Sequence, residues 1–405
     1  MNHAPHLFAV KGDDLLINGQ SVRELAARVG GGPFYAYDSA AMTKRVADLR
    51  AAMPAVLKLH YAMKANPMPA VVRHLAARLD GVDVASPLEM LVALEAGASP
   101  AHISFAGPGK SDHDVREAVG AGITLNLESP REFRSALAAG EALGVAPRVA
   151  LRVNPAFELK AAGMKMGGSA KQFGVDEEQA PALLREIAAS GARFEGFHIF
   201  SGSQNLRADA IIEAQGKTLD LVVRLADVAN LPVNLANIGG GLGIPYAPGE
   251  QRIDLAPVGA ALDAALSAFR AKMPDTRVAM ELGRYFVGEA GIYVCEVIDR
   301  KDSRGEVFLV TNGGLHHHLA ATGNFGQVLR RNYPVVAPAR MGAHEAEKVH
   351  VVGPLCTPLD LLGHAVALPR LEPGDLVAVL QSGAYGLTAS PTAFLSHPAP
   401  SEILV

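Results

Sequence analysis

Leu59-His60-Tyr61-Ala62-Met63-Lys64-Ala65-Asn66 is an alternating, strand-like run that carries one lysine to its end, where Asn66-Pro67 breaks it. In a buried strand an ammonium loses its hydration unless something pairs it or lowers its pKa. A lysine lowered in that way is a nucleophile, able to form a Schiff base with an aldehyde. A lysine at a strand end reaching into solvent fits the same residues equally well. The choice between the two rests on the rest of the chain.

On either side of this run, short β segments alternate with amphipathic helical ones. Strands are expected near 56–64, 81–86, 103–108, 123–129, 148–154, 194–201, 233–239 and 277–282. Helical stretches such as 39–52, 87–97, 112–121, 129–143, 177–190, 207–229 and 255–272 lie between them. Roughly eight βα repeats over about 250 residues predict a (β/α)8 barrel, with a doubly wound open sheet as the rival. The polar residues favour the barrel, because they fall at the strand C-termini that a barrel gathers at one mouth. They are Lys64, Asp83 with Ser86, Glu128, Arg152 with Asn154, His198 with Ser201, Gly239-Gly240-Gly241, and Glu281 with Arg284.

The barrel pattern is expected over 36–280, with 1–35 and 281–405 forming a β domain. Beyond residue 285, strands are expected at 286–299, 306–312, 332–340, 347–353 and 375–381. Near the N-terminus, Asn18-Gly19 signals a hairpin expected to pair into that β domain. Ser21 then caps a short helix over 22–29.

Net charge is −4 with no basic block, which argues against a nucleic-acid surface. No apolar run approaches the roughly 20 residues of a membrane span, and residues 1–15 lack the apolar core of a signal peptide. Cys295 and Cys356 are far apart, without metal spacing, so a reducing, cytoplasmic setting is expected.

Individual constellations carry alternatives. The glycines of Ile238-Gly239-Gly240-Gly241-Leu242-Gly243 let backbone N–H groups close on a phosphate, although the full dinucleotide fingerprint is missing. Glu281-Leu282-Gly283-Arg284 is either a local ion pair or an acid for a protonated ring nitrogen beside an arginine for phosphate. Cys356 is a reactive thiol or a small hydrophobe. Asp360 in an apolar stretch costs free energy unless paired. Adjacent residues of a strand alternate faces, so His316-His317-His318 is not expected to bind a metal.

Taken in order, the motifs Tyr61 to Asn66, His198 with Ser201 to Gln204, Gly239 to Gly241, Glu281 to Arg284, Cys356 to Asp360 and Gly383-Ala384-Tyr385 carry a resemblance. The sequence resembles the fold-type III pyridoxal-phosphate decarboxylases, the diaminopimelate/ornithine decarboxylase family. That resemblance implies an alanine-racemase-like barrel with a C-terminal β domain and pyridoxal 5'-phosphate as cofactor. It implies that Lys64 holds the cofactor covalently, that His198 stacks on its ring and that Glu281 pairs with the ring nitrogen. Ser201, Gly239, Gly240, Gly241, Gly283, Arg284 and Tyr385 would serve the phosphate, with Asp83 behind the lysine. It further implies a homodimer with shared sites, Cys356 donating a proton and Asp360, Arg152 and Thr357 meeting substrate.

Two departures bear on substrate. Leu282 stands where the family's proline is usual, and Thr357 stands where diaminopimelate decarboxylases carry a glutamate. The stretch Gly163 to Gly174, with Phe200 before Ser201, looks most like a particular subgroup. It contains exosortase- or exopolysaccharide-associated decarboxylases and enzymes that decarboxylate an aminoacyl group on an acyl-carrier protein. Lys160, Lys165 and Lys171 would then meet an acidic carrier, or else belong to a solvated loop. The expected activity is decarboxylation of an α-amino acid or a carrier-tethered aminoacyl group. Diaminopimelate decarboxylation and a silent, regulatory cofactor-fold protein are the alternatives.

Overall fold

In the computed structural model, residues 7–160, 163–247, 249–325 and 331–405 are described, and the side chain of Lys165 lies outside the description. Part of the segment read for a signal peptide, residues 1–6, also falls outside it.

Eight parallel strands close into a barrel: β1 (Lys58–Ala62), β2 (Gly81–Val84), β3 (Ile103–Phe105), β4 (Thr124–Leu127), β5 (Arg148–Asn154), β6 (Arg193–His198), β7 (Leu235–Asn237) and β8 (Arg277–Leu282). Each pairs with the next, β8 pairs with β1 (Glu281 opposite His60), and the β4–β5 pairing completes the ring. The open-sheet rival is excluded by that closure.

The strand-to-helix turns are set by a repeated local device. In Ser86-Pro87-Leu88-Glu89 the serine hydroxyl accepts the Glu89 N–H, and the glutamate accepts the N–H of Ala85. Ser129-Pro130-Arg131-Glu132 repeats it, with Glu132 accepting the N–H of Glu128. Proline at the first helical position loses no hydrogen bond, and the serine satisfies an otherwise orphan donor. These caps end β2 and β4 at Val84 and Leu127, short of the expected 86 and 129. Site residues therefore stand on the last strand residue or just beyond it.

The chain divides into two compact units, one over Val46–Ile244 and Arg252–Gly283, the other over Met1–Arg45, Pro245–Gln251 and Arg284–Val405. In the second unit Phe34–Tyr37 pairs antiparallel with Gly291–Val294 and parallel with Ser401–Leu404. The expected boundary at residue 36 thus falls inside a strand of the β sheet. Gly291–Ser303 is the long central strand: Leu376–Val379 pairs along its first half and Glu306–Thr311 along its second. Glu347–Val352 and Leu361–Leu368 extend the sheet. The last of these was not expected, because Asp360 interrupts the apolar pattern before it. Conversely, the strand expected over 332–340 reduces to Val335–Val336, since Pro334 and Pro338 cannot donate to a ladder.

Asn18 and Gly19 both have positive φ, 45° and 82°, as a tight hairpin turn requires. The hairpin forms its own small sheet (Ala9–Lys11, Asp14–Ile17, Gln20–Ser21) instead of pairing into the larger one. Two backbone bonds anchor it, Leu15 N–H to Pro338 C=O and Met341 N–H to Asp13 C=O.

In the barrel unit, the helix Leu255–Lys272 crosses the end of the helix Ser39–Ala52 at Gly259, where a Cβ would lie 1.8 Å from the Ala52 carbonyl oxygen. Helix propensity alone favours alanine over glycine by about 1 kcal/mol. A backbone clash costs roughly 1–3 kcal/mol. Gly259→Ala should therefore lower the thermal midpoint; a raised midpoint would show that the helices separate freely there.

Candidate active site

Strand β1 stops at Ala62, and Met63–Ala65 form a single 3-10 turn. Met63 and Ala65 are buried, so the turn exposes only Lys64, and of the two readings of this stretch the lysine that reaches out of the strand end is the one observed. The turn is tied by Asn66 N–H to Met63 C=O and by the Tyr61 hydroxyl to Asn66 C=O. Gly283 lies against it: a Cβ there would come within 2.7 Å of the Ala62 carbonyl oxygen. The Lys64 ammonium lies 5.5 Å from the Phe200 ring centre.

His198 ends β6, and Glu281 lies on β8, the neighbour of β1. Their side chains meet, Nε2 to Oε2, at 2.8 Å, and both are buried. Burial opposes a charged Glu281, but the hydrogen bond and charge of His198, with the charges of Lys64 and Arg152, hold its carboxyl well below the usual range. The other histidine nitrogen, Nδ1, is buried without a hydrogen-bond partner among the described residues.

The glycine loop packs between these strands. A Cβ would lie 2.7 Å from Ile199 O at Gly239, 2.0 Å from Glu281 O at Gly240 and 3.0 Å from Gly202 O at Gly241. Gly239 and Gly241 also have positive φ, 68° and 93°. Ser201 is buried beside this loop, and Asn205 and Gly241 are joined by a backbone bond.

On the opposite wall Asp83 is buried on β2. It accepts the Ser104 hydroxyl at 2.6 Å and faces His60 Nδ1 at 3.4 Å, while its second oxygen is unpartnered among the described residues. Burial disfavours charge on His60, yet Asp83, and more weakly Glu281, raise its pKa. Arg152 on β5 donates to Glu128 at 2.7 Å and lies over Phe173. Lys110 is buried within 3.0 Å of Glu132 and 4.0 Å of Glu128. Burial pushes the Lys110 ammonium down and Glu132 up, while Arg152 and Lys110 hold Glu128 down against its own burial. His60 and Lys110 were not among the expected site residues, although His60 lies in the stretch that decides the fold. An inward-facing histidine in an alternating strand was its only signal.

The remaining expected residues belong to the other unit. Arg284 follows β8 directly; it donates to the Tyr246 hydroxyl, and its guanidinium lies 4.7 Å from the Tyr385 ring centre. Its Nε is buried and unpartnered among the described residues. Cys356 is exposed and Thr357 half-buried on the loop after Gly353. Cys295 is different: burial pushes its thiol up to about 12, leaving it inert.

Asp360 departs from its expected substrate contact. Its two oxygens accept the N–H groups of Leu315 and Leu355 inside the protein, and burial raises its pKa. A buried carboxylate that accepts one backbone N–H on each oxygen staples two loops together. His316-His317-His318 forms a turn, not a strand. His317 bonds Pro398 C=O and Tyr293 OH, and His318 bonds Ser382.

The barrel residues fit a pyridoxal phosphate. Three glycines let the loop backbone pack closer to the Ile199, Glu281 and Gly202 carbonyls than any side chain would allow, as a loop presenting its own N–H groups to a phosphate requires, and an ionised buried carboxylate suits a protonated ring nitrogen. His198 Nδ1, orphaned among the described residues, is a polar atom still able to take a partner.

A family model described as "Pyridoxal-dependent decarboxylase, pyridoxal binding domain" matches residues 39–288. The chain is 39% identical over 378 residues to L-glutamyl-[BtrI acyl-carrier protein] decarboxylase of Niallia circulans, covering 92% of this chain and 88% of that one. It is 30% identical over 401 residues to the diaminopimelate decarboxylase of Thermoplasma acidophilum, covering 96% and 91%. The crystal structure of Helicobacter pylori diaminopimelate decarboxylase complexed with L-lysine superposes with a TM-score of 0.82 at 28% identity, covering 95% and 94%. The motifs, the closed barrel and these likenesses agree, and the chain belongs to the pyridoxal-dependent decarboxylases, with pyridoxal phosphate as its cofactor.

Proposed function

We propose that this decarboxylase acts on an aminoacyl group carried by an acyl-carrier protein, with the glutamyl group first among those to test. The observation that carries this reading is the 39% identity, over nearly the whole chain, to a relative whose substrate is L-glutamyl-[BtrI acyl-carrier protein]. Thr357, where a glutamate would mark the diaminopimelate enzymes, supports it from this chain's own residues.

When bound, the cofactor supplies an electron sink for the pair left by the departing carboxylate. The protein's part is to place groups around it. Lys64, on its rigid turn, is the covalent anchor. Glu281, kept ionised by His198, holds a proton at the ring nitrogen, and His198 covers the ring face. Gly239 to Gly241, Gly283, Ser201, Arg284 and Tyr385 take the phosphate, and Asp83 supports the wall behind Lys64. Cys356 returns a proton to the α-carbon from the partner subunit of a homodimer with shared sites. Arg152 and Thr357 meet substrate, whereas Asp360 acts by stapling the loop that carries Cys356. In this division the segment 36–280 carries Lys64, Asp83, His198, Ser201 and the three glycines, while 281–405 adds Glu281, Gly283, Arg284 and Tyr385 to the cofactor and Cys356 to the partner's site.

CO2 release from glutamyl-carrier, set against free glutamate, lysine, ornithine, arginine and meso-diaminopimelate, tests the substrate. Turnover of the carrier form alone is expected; efficient turnover of free diaminopimelate would overturn the reading. Lys64→Ala should lose the visible absorbance of protein-bound cofactor, and an unchanged spectrum would remove Lys64 from its role. Inactive Lys64→Ala mixed with inactive Cys356→Ala should recover part of the activity once subunits exchange; no recovery after proven exchange contradicts shared sites.

The depressed Glu281 pKa also sets a sign for stability. A carboxyl lowered in the folded state contributes stability above its ordinary value of 4.5 and loses it as pH falls through the folded value. Between pH 6 and pH 3.5 the thermal midpoint of the wild type should therefore fall more than that of Glu281→Gln. Equal slopes would show that His198 and Glu281 are not paired.

A further inference from the structure

We propose that the groove between the helices Asp112–Gly120 and Pro130–Leu143 is the docking site for an acidic carrier domain. This inference rests on the carrier reading above and adds where the carrier sits.

The groove has a volume of about 490 Å³ and is walled by Arg116, Arg131 and Arg134 over a floor that includes Ser135 and Ala138. Its single acid, Asp112, is already engaged, accepting from Arg131 at 2.6 Å and from the Ser135 hydroxyl at 2.7 Å. Arg116 and Arg134 are exposed and form no ion pair among the described residues, so the groove carries two unspent positive charges. An unpaired guanidinium recognises carboxylates, and Arg–carboxylate contacts are often bidentate. The small floor residues let a helix approach closely. The whole chain is net negative, so this positive groove is a local feature and not part of a general basic surface.

Position supports the same occupant. Both helices follow β3 and β4 on the C-terminal side of the strands, so their first turns, with Asp112 and Arg131, lie at the mouth of the barrel. Arg116 lies one turn, about 6 Å, along the axis from Asp112. Arg131 also holds the Lys110 carbonyl oxygen at 2.7 Å, and the Lys110 ammonium belongs to the buried Glu128–Arg152 network of the mouth. A carrier seated here stands at the rim, where a tethered group enters. By contrast, Lys160 in the loop first read for this role is bound to Glu213 at 2.9 and 3.0 Å, and Lys171 is half-buried.

The experiment compares the wild-type holoenzyme with the double variant Arg116→Glu, Arg134→Glu on two substrates: glutamyl-carrier and the same glutamyl group on free pantetheine. Both replaced side chains are exposed, and an unchanged visible spectrum checks that the cofactor site is intact. The variant is expected to raise KM for the carrier form about tenfold or more at low salt, with kcat and the pantetheine reaction unchanged. The wild-type KM should rise with ionic strength, and the variant's should not. A carrier KM within twofold of wild type overturns the docking site alone. A changed sedimentation mass would make the groove a contact between copies of this chain and overturn it too. Failure of the wild type on glutamyl-carrier, with turnover of a free amino acid, overturns the substrate reading and the docking site together.

Discussion

The buried hydrogen bond between His198 and Glu281 is the constraint on which the barrel's chemistry depends. An ionised carboxylate removed from water is expensive, and taking away the group that holds it costs about 3–5 kcal/mol. Neither side chain reaches the other unless β6, β7 and β8 are in register, with His198 opposite Asn237 and Asn237 opposite Ala279. The glycine loop follows from that register. Gly240 packs on the Glu281 carbonyl and Gly239 on that of Ile199, so the cradle and the acid are one piece of structure.

The opposite wall balances charge differently. Arg152, Glu128, Lys110 and Glu132 form a buried set of two cations and two anions. Burial pulls Lys110 and Glu132 toward neutrality, whereas Glu128 is held ionised by its two cationic neighbours. That set joins β4, β5 and the loop after β3 and leaves Arg152 with a fixed orientation. Asp83 and His60 make a second, smaller pair on β1 and β2. Among the described residues, the titratable groups of this wall thus each have a partner, whereas Lys64 is exposed.

Much of this was legible in the residues. The βα alternation, two strands (Arg148–Asn154 and Arg277–Leu282) and two helices (Ser39–Ala52 and Leu255–Lys272) follow the expected bounds. Other strands were expected too long, since serine–proline caps and the Met63–Ala65 turn cut them off before their apolar pattern ends. The position of Lys64 at a strand end and its reach into solvent were both readable; the three-residue turn that fixes it was not. Asp360 shows the limit most plainly. An acid in an apolar stretch signals a partner, but the partners are two backbone N–H groups from loops 45 and 5 residues away, which carry no sequence mark.

The central claim is that Glu281, held ionised by His198, keeps the cofactor's ring nitrogen protonated. Nitrogen-15 NMR of the enzyme loaded with ring-labelled pyridoxal phosphate reads that proton directly. The account predicts a protonated-pyridine shift at neutral pH in the wild type and its loss in Glu281→Gln. An unprotonated ring nitrogen in the wild type would contradict it.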